Sequence, residues 1–474
     1  MKKLFACLLM VLFLSNGMLT THASAHTKQD QLDTLLKDIQ ETYRIPDLSL
    51  TVVTEEGIYY EGSLGENVTS ETPFLIGSIS KPLTSLGTFV LIEKGTLTLD
   101  DPVHEHLPWF SYDTPYSEPM LVRHLLEQTS GMATEETALA LDVFDREATA
   151  DVVAAAAKEL AHVSLNHRPG DTYVYDSANY LLLGAVIEAV SNQSFADFMK
   201  NDVFQPLSMS HTSAESSVPA TLVPGHTSWF TIPKQSEGYF DPAGAPYGYM
   251  VSTSSDLGHF LSFLMNGGDI ISDENKGVML QQPTDSNYGY GWRFVNPFST
   301  NTFPWHTGAT PDQRAEVFFN PDDKIGVALL VNKYHQLEAE AYLSIMERVR
   351  SILAEEEVLS PLTPLSLFTQ LIMVGVIGGI ILLLSLVLVF SYKQKPLRFP
   401  FIFGVLCILL GLVLIPVFSI SIQTPWRTIA LYTPDVALLT LVLTALLLSL
   451  GVMLVFFGYR QRKKSLERTE IQVA

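Results

Sequence analysis

Ser78 and Lys81 stand three residues apart in the apolar segment Phe74-Leu75-Ile76-Gly77-Ser78-Ile79-Ser80-Lys81. A serine hydroxyl is a poor nucleophile until a base comes within hydrogen-bond reach. Positions i and i+3 share one face of a helix, so the two side chains can meet there. A desolvated lysine loses its preference for the charged form and can then accept a proton. A helix start at Ser78 adds free N–H groups and a dipole that favour negative charge. Pro82 suits such a start, because amides of the first turn have no partner to lose. Taken alone, Ser-x-x-Lys occurs often by chance, and most copies are ordinary helix surface.

Two further motifs supply what Ser78 and Lys81 lack. The first is Pro169-Gly170-Asp171-Thr172-Tyr173-Val174-Tyr175-Asp176-Ser177-Ala178-Asn179-Tyr180, and the second is Trp305-His306-Thr307-Gly308-Ala309. Acyl transfer needs a nucleophile with its base, a proton for the leaving group, and two donors aimed at the tetrahedral oxyanion. Rigid elements such as strands hold such donors better than loops do.

With these motifs in order, the chain resembles the serine β-lactamases of class C and the related penicillin-binding proteins and esterases, over about residues 30–350. Further landmarks carry the resemblance: Leu99-Asp100-Asp101-Pro102-Val103, His124 to Met132, Leu181-Leu182-Leu183-Gly184, and Ser252 to Leu257. The resemblance implies an α+β, β-lactamase/transpeptidase-like fold, an antiparallel sheet flanked by helices with a helical lobe. It implies Ser78 as acylated nucleophile, Lys81 as its partner and Tyr175 as proton shuttle. His306-Thr307-Gly308 takes the place of the family's Lys-Thr-Gly element, which makes His306 a catalytic candidate. Ser177, Thr307 and Gly308 become substrate-binding candidates, and the N–H groups of Ser78 and Ala309 the oxyanion hole.

The chain departs from the family pattern at defined places. Ser177 stands where an asparagine is usual, and a hydroxyl cannot supply an amide's paired donor and acceptor. His306 replaces a lysine and is mostly uncharged at neutral pH. Gln128 stands where a histidine is frequent, and Gln313-Arg314 where a Gly-Phe pair often follows; Arg314 is a candidate for the missing positive charge. These departures turn the expectation from β-lactam hydrolysis toward an esterase or DD-peptidase. His104-Glu105-His106 lacks further ligands at metal-binding spacing and reads as solvated loop histidines. No metal and no cofactor are expected.

The chain has 474 residues, 29 basic and 50 acidic. Eleven of the basic residues but only three of the acidic ones lie before residue 26 or after 366, leaving about −29 on the stretch between. Such a field repels nucleic acid and anionic polymers. Residues 1–25 read as a signal peptide, with Lys2 and Lys3 before an apolar run and Ala23-Ser24-Ala25 at the cleavage point. Residues 26–354 are then the extracytoplasmic hydrolase domain, 355–366 a linker, and 367–474 a membrane module. Its uncharged runs 367–390, 401–420 and 436–457 are each long enough to cross a hydrocarbon core of about 30 Å. Lys393, Lys395 and Arg398, and the basic cluster from Arg460 to Arg468, place the first loop and the tail in the cytoplasm. The two cysteines, Cys7 and Cys407, both fall in membrane-type segments, so the exported domain is held by packing alone.

Within that domain, Leu32, Leu35, Leu36 and Ile39 follow helical spacing, and Leu48, Leu50 and Val52 alternate as in a strand leading to a hairpin. Residues from about Leu107 to Met265 read as mostly helical. Strand signals return near Trp292, at Ala315–Phe319 and at Ile325–Val331, before a final amphipathic helix over 337–353. The functional expectation is a membrane-embedded serine hydrolase with its catalytic domain outside a bacterium, acting on cell-wall-derived peptides or esters. The alternative is a catalytically idle wall sensor that signals through its three spans.

Overall fold

The computed structural model describes residues 27–143, 146–283, 286–296, 302–355, 361–392 and 400–473. The expected signal peptide, part of the linker, and Lys393, Lys395 and Arg398 lie outside the described residues.

The chain begins with α1 (Lys28–Tyr43), whose Leu32, Leu35, Leu36 and Ile39 form one buried stripe. Thr27 caps it by accepting from the Asp30 N–H, while the Asp30 carboxylate accepts from the Thr27 N–H at 2.9 Å. Two orphan donors are thereby satisfied. Strands β1 (Leu48–Thr54) and β2 (Gly57–Leu64) follow as a hairpin.

After the lobe, the chain returns through β3 (Tyr288–Gly289), β4 (Trp292–Arg293), β5 (Trp305–Ala309), β6 (Arg314–Asn320) and β7 (Ile325–Val331). These complete a seven-stranded antiparallel sheet of order β2-β1-β7-β6-β5-β4-β3. Strand alternation sorts its side chains into two cores. Val327, Leu329 and Val331 meet α1 and α5 (Ala339–Leu353) on one face. Ala328 and Leu330, with Ala315, Val317 and Phe319, face the lobe and the helix Ser254–Asn266 on the other.

Two buried helices of the lobe matter for the site: α2 (Ser80–Glu93) and α3 (Ser177–Ser191). They pack side by side, with Leu83, Leu86 and Phe89 of the first and Tyr180 to Ile187 of the second in one core. The lobe region is less helical than expected. It contains a hairpin, His226–Trp229 paired with Ile232–Gln235, which Lys333–Tyr334 extends to a three-stranded sheet. Its turn places Phe230 at φ 51° and Thr231 at φ 67°. Hairpin turns of that geometry normally announce themselves by Asn or Gly, so this one carries no sequence signal.

Beyond the sheet and lobe come α6 (Phe368–Tyr392), α7 (Pro400–Ser421), the short α8 (Trp426–Tyr432) and α9 (Pro434–Val473). Three of these, α6, α7 and α9, are long and apolar enough to cross a membrane. Gly404 and Gly451 bring the α7 and α9 backbones together, since an added Cβ at either would fall 2.7 Å from the other's carbonyl oxygen. Small residues permit this kind of close packing between apolar helices.

Candidate active site

Ser78 sits in the 3-10 turn Gly77–Ile79, which runs directly into α2. The turn is fixed from below: Ser80 Oγ donates to the Gly77 carbonyl at 2.8 Å and accepts from the Met250 N–H at 3.1 Å. One turn on, Lys81 is fully buried. Its ammonium donates to Ser78 Oγ at 3.1 Å, to Ser177 Oγ at 3.3 Å and to the Tyr247 carbonyl at 2.6 Å. The three acceptors match the three protons of the group. Burial, reinforced by the nearby Arg293 cation, lowers the Lys81 pKa against the opposing pull of Tyr175 and Asp176.

Tyr175 comes from the segment before α3. Asp176 caps that helix by accepting from the Ala178 N–H, and Gln128 Oε1 accepts from the Asp176 N–H at 2.9 Å and from Asn179 at 2.6 Å. Lys81 Nζ lies 4.9 Å from the centre of the Tyr175 ring, and the Ser78 hydroxyl is close enough to the phenol to lower its pKa. Burial by itself would raise the phenol, but Lys81, the Ser78 hydroxyl and Arg293 together hold it below 10. Ser78 therefore faces two groups, an amine and a phenol, that both release a proton more readily than usual.

The third side of the site is the edge of β5. Beyond the Arg293–Trp305 pair, β4 no longer covers β5. The Thr310 N–H bonds the Gln313 carbonyl across the β5–β6 turn, so by alternation the backbone groups of Thr307 and Ala309 face away from β6, toward the cleft. The strand lies hard against the Ser78 turn. A Cβ on Gly308 would fall 1.9 Å from the Ile76 carbonyl oxygen and 2.8 Å from the Ser78 nitrogen, and one on Gly77 2.2 Å from the Ala309 nitrogen. Gly77 also has φ 52°, a conformation that favours glycine. Two glycines thus let the backbones that carry the Ser78 and Ala309 N–H groups come into close contact.

The other residues singled out in the sequence make different contacts. His306 is 1 % exposed. Its Nδ1 is 2.7 Å from the Thr307 carbonyl and its Nε2 3.4 Å from the Tyr288 hydroxyl, and no hydrogen bond joins it to Ser78 or Lys81 among the described residues. Burial, with Arg293 and Lys81 nearby, pushes it well below 6.5, so it is a neutral ring beside the reacting groups. Arg314 does not supply charge to the cleft. It is buried on the α5 side of the sheet, 2.6 Å from Glu316 and against the rings of Tyr334 and Tyr342. Trp292 is a core residue stacked on Phe260, and His106 pairs with Asp101 at 2.9 Å.

Arg293, which sequence reasoning passed over, lies with its guanidinium carbon 4.8 Å from the Tyr175 ring centre and 6.0 Å from that of Trp305. It follows the Gly289-Tyr290-Gly291-Trp292 strand signal by one residue, a position that pointed to fold alone. The Tyr247 carbonyl was likewise invisible, since a backbone acceptor leaves no mark on residue type. Ser78 opens into a cavity of about 240 Å³, bounded by Ser177, Tyr247 and Ala309 and, on its far side, by Thr428 and Tyr432 of α8.

The sequence profile described as Beta-lactamase matches residues 32–349. Protein flp of Staphylococcus aureus (strain COL) is 26 % identical over 320 residues, covering 64 % of this chain and 63 % of that protein. The chain thus spans a little under two thirds of the length of the first curated relatives it matches. Penicillin-binding protein 4* of Bacillus subtilis (strain 168) is 28 % identical over 365 residues, 68 % of this chain and 76 % of the relative. Among solved structures, the D-amino acid amidase from Ochrobactrum anthropi SV3 superposes with a TM-score of 0.55 at 20 % identity, over 68 % of this chain and 99 % of that one. Site geometry and profile converge on one conclusion: the chain belongs to the beta-lactamase family of serine hydrolases.

Proposed function

We propose that this protein is a membrane-anchored hydrolase, with its catalytic body outside a bacterial cell, that acylates Ser78 from D-alanyl amides or esters of the cell envelope. The observation that carries the reading is the fully buried Lys81, 3.1 Å from Ser78 Oγ and in contact with a Tyr175 phenol of lowered pKa. The Ser78 proton passes to the Lys81–Tyr175 pair as Oγ attacks the substrate carbonyl. The oxyanion that forms is held by the N–H groups of Ser78 and Ala309. As it collapses, the bond to the leaving amine or alcohol breaks, and Tyr175 returns the proton to that group. Water then attacks the acyl-serine by the same route in reverse and releases the acid.

Ser177 and a neutral His306 lack the amide and the cation that the family pattern places at these positions, which favours esters and amides over β-lactams. In this reading His306 is a positioning residue that holds Thr307 and Tyr288, while Thr307 and Gly308 line the acyl path. Removal of a nucleophile from such a constellation costs on the order of 10⁶ in kcat. The full-length protein in nanodiscs, incubated with a p-nitrophenyl ester and with a fluorescent penicillin, should release p-nitrophenol and show an acyl mass on the Ser78 peptide. Ser78→Ala should abolish both. Turnover that survives Ser78→Ala would overturn the assignment of the nucleophile, and no turnover with no labelling of the wild type would overturn the reading and leave the non-catalytic wall sensor.

A further inference from the structure

The cleft has one wall that belongs to neither the sheet nor the lobe. Gln423, Thr424, Pro425, Thr428 and Tyr432 line the same cavity as Ser78, and all five lie in the connector between the apolar helices α7 and α9. The connector is tied down at several points. Thr428 Oγ1 donates to the Asp142 carboxylate at 2.9 Å, and Arg427 to the Asp142 carbonyl at 3.3 Å, which fixes it to the lobe. Three residues past α8, Asp435 receives His335 Nε2 at 2.8 Å and the Phe230 N–H at 3.0 Å, which fixes it to the body, and Gln370 Nε2 of α6 at 3.1 Å.

Tyr432 occupies the most consequential place on this wall. Its ring meets Tyr334 edge-on at 6.0 Å, and its hydroxyl donates to the Ala309 carbonyl at 3.4 Å. That carbonyl is the acceptor on the open edge of β5 beside the oxyanion donors. An acyl group that carries an N–H next to its reacting carbonyl would add to this edge as a strand does, and Tyr432 must leave before it can. An acyl group without an N–H has no claim on the Ala309 carbonyl.

We infer that residues 423–432 form the acyl-side wall of the cleft and that Tyr432 is a specificity-determining residue, whose hydroxyl an acyl group with a backbone-like N–H, the D-alanyl group included, must displace from the Ala309 carbonyl. The inference rests on the reading of Ser78 as the acylated nucleophile. It makes the connector between two membrane helices part of the substrate site.

The test compares two substrates on the full-length protein in nanodiscs: p-nitrophenyl butyrate, and an N-acetyl-D-alanyl thioester that adds the N–H. Tyr432→Phe removes the hydroxyl and keeps the ring, so the ratio of kcat/KM for the thioester to that for the butyrate should rise roughly three- to tenfold, the weight of one neutral hydrogen bond. Thr428→Trp fills the cavity from the α8 side and should lower the same ratio, mainly through KM for the thioester. A shift in the stated direction in either variant supports the inference. Ratios within twofold of wild type in both, or moving the opposite way, overturn it. If the wild type turns over neither substrate, the Ser78 reading itself has failed and the inference falls with it, so the two failures are told apart.

Discussion

Replacing Gly308 by alanine tests the site at its narrowest point. The new methyl would fall 1.9 Å from the Ile76 carbonyl oxygen, whereas real Cβ contacts essentially never come under 3.0 Å. The atom in the way is backbone, so no side chain can swing aside; β5 and the Ser78 turn must part by about 1 Å to relieve it. Ser78 and Ala309 bear the two N–H groups on opposite sides of that gap. A displacement of that size costs about 10²-fold in catalysis, comparable to the removal of one oxyanion donor. Overpacking should add a stability loss of about 1–3 kcal/mol. Gly277, inside the helix Asp273–Met279, has open space where its Cβ would be, so Gly277→Ala should be neutral or stabilise by up to about 1 kcal/mol. The assay is acylation of Ser78 followed by mass spectrometry as a function of time, with thermal unfolding alongside. Gly308→Ala should acylate slowly yet reach full stoichiometry. A folded Gly308→Ala protein that acylates within threefold of the wild-type rate would refute the view that these two backbones define the oxyanion site.

Other perturbations reach the site from different sides. Lys81 and Tyr175 both titrate below their usual values, so kcat/KM should rise with pH along a limb centred below 10. Arg293 helps to hold both groups down, and Arg293→Gln should move that limb upward in a pH–rate profile. His306 is neutral across the working range, so the profile should show no inflection near 6.5, and His306→Gln should neither add nor remove one between pH 5 and 8. Asp435→Ala takes the acceptor from His335 and the Phe230 N–H and should cost about 2–3 kcal/mol, read as a lowered Tm of the full-length protein; an unchanged Tm would show the junction to be slack.

Much of this fold was legible because the sequence states it through period. The spacing of Leu32, Leu35, Leu36 and Ile39 corresponds to the buried face of α1, and the alternating Leu48, Leu50 and Val52 fall together in one core under β1. The site was legible where side-chain type carries the chemistry: Ser78, Lys81 and Tyr175 converge as their motifs imply. It was illegible where the work falls to backbone or to an unannounced neighbour. The Tyr247 carbonyl that anchors Lys81 belongs to no side chain. Arg293 and Arg314 are one residue type whose opposite fates depend on which face of a sheet each occupies. The Phe230-Thr231 turn defied the reading because its left-handed residues are not those that adopt that shape at low cost. The partnership of α8 with the cleft joins residues more than three hundred positions apart, a separation over which local pattern carries no information.

The Asp435 carboxylate, at the mouth of a long apolar helix, works as a depth mark. In a bilayer, that helix cannot rise, sink or swivel without pulling the carboxylate off the three groups that hold it. With the apolar helices spanning a bilayer, as proposed, the catalytic body would ride at a constant height above the lipid, and Ser78 would sweep a thin sheet of space parallel to the surface. For an acyl donor rooted in the same membrane, encounters are then governed by density per unit area. Diluting the enzyme's bilayer with inert lipid should slow the reaction, while diluting the same vesicles in buffer should leave it unaltered.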